Sequence, residues 1–219
     1  MRIQQKLFLT SLALGLFIIN ANCQTMMTEG TIEYSVTNIF PNKKQPKDTF
    51  NIFTERFRFK DKKQRTDRFL NNILTDSRIY DGEKPNIILW IKKEKTVDES
   101  VLYKYGDFDS SHICNKEKFK FLNEQKTICS YICNKYEYTL PGDTTKYYVY
   151  CTKDVVAPLP SDLVQQFFYL DGFPMEYNFN QSGKQVIYKI TKMSADKIED
   201  NVFAIPKDYK TQYFDKKNK

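Results

Sequence analysis

Cysteine and histidine are the residues through which this 219-residue chain could do covalent or metal chemistry, and they are few. His112 is the single histidine, and Cys114, Cys129, Cys133 and Cys151 follow an early Cys23. A serine or cysteine triad would depend on His112, which stands in a polar stretch two residues from Cys114. A Cys114 held in a disulfide is no nucleophile. Cys129 and Cys133 have a spacing seen in zinc sites, but the other two cysteines lack a matching close spacing, so no metal is expected. The chain has no glycine-rich phosphate loop and no paired-histidine motif. The expectation is a protein without enzymatic activity and without a cofactor.

Four cysteines beyond Cys23 read instead as two disulfides, provided the chain is exported. Its first residues support export. Arg2 and Lys6 give a positive start, Leu7 to Ile19 is an apolar run, and Asn20, Ala21 and Asn22 follow. That is the layout of a secretory signal over residues 1–23, too short for a comfortable membrane span. Three fates are open at its end: cleavage after Cys23, cleavage after Ala21, or lipidation of Cys23. Asn20 and Asn22 stand where a lipid signal wants an aliphatic and a very small residue. A soluble product in the periplasm or beyond is therefore the expectation, and a lipoprotein associated with the outer membrane the alternative. No transmembrane segment is expected in the mature chain.

The elements that must position the cysteines are strands. Phe at 17 and Tyr at 15 are abundant and Gly at 7 is scarce, a composition suited to a pleated core. Thr31 to Val36 and Phe50 to Lys60 alternate, with Phe53, Phe57 and Phe59 on one parity and Ile52 on the other. Strands are also read at Gln64–Leu70, Ile79–Tyr80, Ile87–Ile91, Val101–Tyr105, Met175–Phe179 and Val186–Met193. Gly106 to Lys118 is polar and irregular.

The clearest hairpin joins Tyr131–Leu140 to Lys146–Lys153 through Pro141-Gly142. Its plausible registers pair positions summing to roughly 284–286, so Cys133 faces Cys151 or lies one position away. Cys133–Cys151 and Cys114–Cys129 are the expected bonds, and a one-residue slip would place the first pair on opposite faces. Ser161 is read as the cap of a short helix over Leu163–Phe168. Asp200–Phe203 is read as docking the end of the chain, with Ile205-Pro206 closing it. The fold expected is one domain over residues 24–215, with a basic tail at 216–219.

Charge narrows the partners. Lys and Arg number 34 against 27 acidic residues, and removing Arg2 and Lys6 leaves a net charge of +5. The basic residues are spread along the chain, so nucleic acid is not expected as a partner.

Several landmarks together resemble an exported bacterial family of unknown function, related to the GLPGLI family. Gly30-Thr31-Ile32-Glu33-Tyr34 is similar to its opening strand. Ile128, Tyr131 and Cys133 match a later strand, and Tyr150 to Asp154 its partner, with Cys151 in a tyrosine place. Gly172-Phe173-Pro174 is similar to the family's Gly-hydrophobic-Pro turn, and Phe203-Ala204-Ile205-Pro206 with Tyr209 to its ending. Met175 replaces the second glycine of the naming motif. The resemblance implies a LolA/LppX-like lipoprotein-carrier fold, a strongly curved antiparallel half-barrel with one or two short helices.

Two functions follow from the sequence. The first is an envelope protein that binds or carries a lipid or other apolar ligand in its concave face, with Phe167, Phe168 and Met175 at the mouth. The alternative is a structural or interaction protein with a self-filled core, pairing with an envelope partner through a strand edge such as Thr31–Val36.

Overall fold

Rings alternate with polar residues along most of the chain, and the pleat turns that alternation into strands with one apolar face. The computed structural model describes residues 24–40, 49–82, 87–93, 98–104, 118–140, 142–160, 163–181, 183–204 and 210–215. The first strands are β1 (Thr25–Met26), β2 (Glu29–Phe40), β3 (Thr49–Lys60), β4 (Lys63–Leu70), β5 (Ile73–Asp81), β6 (Ile87–Lys93) and β7 (Asp98–Lys104). Then come β8 (Lys120–Ile128), β9 (Tyr131–Tyr138), β10 (Tyr147–Thr152), β11 (Val155–Val156), β12 (Phe173–Gln181), β13 (Lys184–Ser194) and β14 (Lys210–Asp215). The helices are short: α1 (Val164–Phe167) and a 3-10 turn at Asp200–Phe203.

Twelve strands form one sheet in the order β14-β7-β6-β5-β4-β3-β2-β13-β12-β10-β9-β8. Its neighbours are antiparallel except at the edge, where β14 runs parallel to β7. The two edge strands do not pair with each other, so the sheet is open. A sheet this wide curls rather than lying flat. The curl is visible where Lys126 of β8 reaches Glu176 of β12 across two intervening strands. The tip of the same hairpin bends back to β13, where Cys129 Sγ donates to the Ile190 carbonyl at 3.6 Å. The expected curved, mainly β architecture is the one found.

Register places the core. Ile32, Tyr34 and Val36 of β2 lie opposite Phe57, Glu55 and Phe53 of β3, and Val36 and Tyr34 lie opposite Tyr188 and Ile190 of β13. These positions share one face. Tyr177 stacks on Tyr188 at 4.9 Å, and Phe167 meets Tyr177 edge-on at 4.9 Å. Residues 153–172 cover this face. Leu159 O accepts from Gln64 Nε2 of β4, and Gln166 Nε2 donates to Tyr138 OH of β9 at 2.6 Å. Residues 195–204 cover part of the other face: Ile198 N donates to Glu29 at 3.1 Å, and Arg65 Nη1 to Val202 O at 2.9 Å. The docking expected of Asp200–Phe203 is thus against the sheet, with Phe203 buried.

Three expectations are corrected, and one strand lies where none was read. Thr31–Val36 is no edge, because β2 is paired on both sides, by β3 and β13. The cap of α1 is Leu163, without a side-chain hydrogen bond, and Ser161 lies outside the described residues. Ile205-Pro206 does not end the fold, since β14 follows and adds to β7. The stretch before Tyr131 holds a full strand, β8. The signal segment 1–23, Cys23, His112, Cys114 and the tail 216–219 lie outside the described residues.

Two glycines fix close approaches. Gly30 (φ +155°) lies against the Ser194 carbonyl, where β2 meets β13. Gly172 (φ +141°) leaves no room for a Cβ, which would stand 2.7 Å from Thr152 O. Gly142 (φ +74°) faces open space and needs only its left-handed backbone. Gly172→Ala is expected to lower the urea midpoint clearly more than Gly142→Ala, whose cost is about 1 kcal/mol for the backbone alone. Equal midpoints would show that the 153–172 cover relaxes around residue 172.

Candidate functional site

The hairpin that carries two of the cysteines sets their fate. Tyr147 pairs with Tyr138 and Cys151 with Asn134, so Cys133 falls one position away from Cys151. Cys129, Cys133 and Cys151 are free thiols. The expected Cys133–Cys151 bond is therefore not formed, because the register is the slipped one that a pleat does not bridge. Cys129 likewise carries a free thiol, and its expected partner Cys114 is outside the described residues. Cys133 and Cys151 are buried. Burial pushes the Cys133 thiol up to about 11 and the Cys151 thiol up to about 12. Both stay protonated at neutral pH and are poor nucleophiles.

Charge is buried on both faces of the β3–β5 region. On one face Asp67, 2 % exposed, takes Arg58, Arg65 Nε at 2.7 Å and the Ser77 hydroxyl. Arg65 continues to the Val202 carbonyl, so this cluster fastens residues 195–204 to the sheet. On the core face Glu55 accepts from Arg68 Nε and Nη2 at 2.8 and 2.6 Å, with Arg78 at 3.7 Å and Tyr188 OH at 3.5 Å. Neither cluster contains a thiol or an imidazole poised to transfer a proton. Among the described residues no group of three or more His, Cys, Asp or Glu could hold a metal ion.

The ligand residues read from the sequence separate. Phe167 and Met175 sit in the core, 2 % and 0 % exposed, while Phe168 points outward. Phe167 packs against Tyr138 and Tyr177, which fill the space beneath α1.

A groove that the sequence reading missed lies on the face turned away from α1. It measures about 220 Å³ and is lined by Lys135, Tyr148, Tyr150, Glu176, Asn178 and Ile187, with Tyr177 at its floor. The lining alternates along β10 and β12, so the pleat aims Tyr148, Tyr150, Glu176 and Asn178 to one side. Lys126 Nζ lies 3.7 Å above the Tyr150 ring and pairs with Glu176. Lys135 Nζ lies 4.7 Å from the Tyr148 ring and bonds Glu124 at 2.7 Å. That bond holds the Lys135 ammonium above its ordinary value. Asn178 Oδ1 accepts from the Tyr148 backbone at 2.8 Å. The groove offers ring faces, ammonium groups and one carboxylate, the chemistry of a contact surface. Tyr148 and Tyr150 two apart, opposite Lys135, were the available signal. They were legible only as strand residues, because the groove needs β12 and β13 as well.

No protein-family model matches the chain. No curated protein matches it either. Among solved structures it is similar to PNGF-II, at 14 % identity and a TM-score of 0.47, covering 85 % of this chain and 31 % of that one. The chain thus spans about a third of that protein's length. It is also similar to a DUF1329 family protein from Desulfovibrio piger, at 9 % identity and a TM-score of 0.25, covering 89 % and 95 % of the two chains. Likeness at this level leaves the function of this chain to its own residues.

Asp67→Ala is expected to cost about 3 kcal/mol in urea unfolding, since it removes a buried carboxylate that two partly buried guanidinium groups share. Asp200→Ala, which breaks an ion pair with Lys60 through a carboxylate 70 % exposed, is expected to leave the urea midpoint nearly unchanged, because solvent screens an exposed pair. In the native protein at pH 8, iodoacetamide is expected to spare Cys133 and Cys151, whose thiolate fractions lie at or below about one in a thousand. Both should react fully in denaturant, as peptide mass mapping would show. Rapid native labelling of either would mean that the β9–β10 hairpin opens.

Proposed function

We propose that this chain is an exported, non-enzymatic interaction protein of the cell envelope that meets its partner through the tyrosine–lysine groove. The observation that carries this reading is the filled core. Tyr138, Tyr147, Phe167, Met175 and Tyr177 are each about 2 % exposed or less, so the core face beneath α1 is filled by the protein's own side chains. The groove itself, at about 220 Å³, is below the ~300 Å³ at which pockets begin to enclose a drug-sized ligand. Export is supported by the positive start, the apolar run and the small polar residues of 1–22. Among the described residues no helix is long and apolar enough to cross a membrane. A non-enzymatic role is supported by buried thiols of raised pKa and by charge clusters spent on packing.

Carriage of an apolar ligand is the second reading, and one observation favours it. Phe53, Phe179 and Tyr188 are only partly buried on the core face, and Tyr188 leads to Glu55 with its two arginines. A strip of rings that ends in charge is suited to an amphiphile.

Native mass spectrometry of the protein taken from its producing cells, before and after solvent extraction, separates the two. A bare mass with no uptake of added phospholipid or fatty acid is the expected result. A bound mass that leaves on extraction would replace the interaction reading with carriage and give the class of the cargo.

A further inference from the structure

The described chain begins at a fixed point on the surface. Gln24 Nε2 donates to Lys153 O at 2.9 Å, and Thr25 N donates to Asp154 O at 2.7 Å. β1 then pairs in parallel with β11, Thr25 beside Val155 and Met26 beside Val156. These bonds hold residue 24 against the bend that follows β10.

The surface around that point is apolar and exposed. Met26 is 71 % exposed and its register partner Val156 is 42 % exposed. Lys153 pairs with Asp171 at 2.5 Å, which draws in the turn after α1. On that turn Phe168 and Tyr169, 59 % and 41 % exposed, set their rings edge to face at 5.0 Å. The neighbours Met27, Val155 and Phe167 point into the core. The fold thus has its packing residues at this place and carries four further large side chains outward. Burial of the core does not account for them.

Sequence supplies the occupant. The apolar run Leu7–Ile19 ends four residues before Gln24, and Cys23 immediately precedes it. Five extended residues span at most about 18 Å. Whether the run itself or an acyl chain on Cys23 enters a bilayer, that bilayer lies within this distance of Gln24. One lipid chain alone gives only marginal attachment, and a second contact makes it stable. Aromatic rings with a polar tip, such as Tyr169, suit the boundary between headgroups and acyl chains.

We propose that Met26, Val156, Phe168 and Tyr169 form a footing that seats on a phospholipid bilayer at the point where the chain leaves the fold. The footing rests on the reading of the chain as exported with Cys23 acylated or residues 1–23 retained, not cleaved after Ala21 or Cys23, and it leaves the tyrosine–lysine groove free for a partner.

The test uses the full chain in vesicles of phosphatidylethanolamine and phosphatidylglycerol that carry a diazirine on one acyl chain. After illumination, lipid adducts are mapped by peptide mass. Adducts are expected at Met26, Val156 and Phe168–Tyr169 in addition to residues 1–23, and not at Ile73, which is 69 % exposed on the β4–β5 turn. Phe168→Ser with Tyr169→Ser should keep the melting temperature and lower labelling of the footing about tenfold, the loss of about 1.4 kcal/mol of partitioning. Met26→Ser provides a second, milder variant in the same direction should the double change disturb folding. Adducts confined to residues 1–23, or as frequent at Ile73 as at Phe168, would overturn the footing. Absence of the chain from the envelope fraction of its producing cells would instead remove the export reading beneath it.

Discussion

Everything in this fold hangs on the seam between β2 and β13, strands from opposite ends of the chain that pair antiparallel. Because side chains alternate along a strand, the register there decides which set faces inward on both sides at once. With Val36 opposite Tyr188 and Tyr34 opposite Ile190, the inward set is apolar on each strand. The hairpins then follow. β3 to β7 extend the sheet one way, and β12, β10, β9 and β8 extend it the other way. Gly30 allows β2 to approach Ser194 at the lower end of the seam, where a β-bulge between Ile190 and Lys192 lets the strand twist. A slip of one residue would turn Tyr34 and Ile190 to the other side and expose the core.

An open sheet this wide has two faces to cover, and among the described residues two connections cross them. Residues 153–172 cross the core face and residues 195–204 cross the opposite one. Each cover is tied by polar contacts to a strand of the first half of the sheet, Gln64 in one case and Arg65 in the other. Adjacent residues of β4 therefore hold opposite covers. The charged residues of β3 to β5 are committed to this work, with Asp67 and Glu55 each gathering two arginines. Among the described residues the Tyr148–Tyr150 groove is left without a cover.

The strands with a ring or aliphatic residue at every second place were legible in the sequence, as were the turns built on glycine. Gly142 and Gly183 both have the left-handed backbone their turns demand. Two other tight turns were not. Asn71–Asn72 and Cys129–Ser130 adopt positive φ at both residues without any glycine; asparagine tolerates that backbone, so Asn71–Asn72 carried a signal that went unread, while nothing in Cys129–Ser130 announced the β8–β9 hairpin. β8 and β14 escaped for a different reason. Edge strands bury only part of one face, and Lys120 to Ile128 has its exposed positions filled by charge and amide groups instead of a clean alternation. The groove escaped because its walls come from four strands, and no single segment carries its signature.

The sequence by itself determined that this is a β protein with an apolar run at residues 7–19, built around aromatic rings and turned at particular glycines. Those properties are local: they depend on the parity of a strand, the backbone freedom of one residue, or the polarity of a short run. Only the tertiary structure decided that β2 lies at the centre of the sheet and not at its edge, that Phe167 and Met175 fill the core while Phe168 stands outside, and that Cys133 and Cys151 remain separate thiols. Those outcomes depend on register between strands distant in the chain and on which segment crosses which face. A shift of one residue reverses them, and it leaves the sequence pattern unchanged.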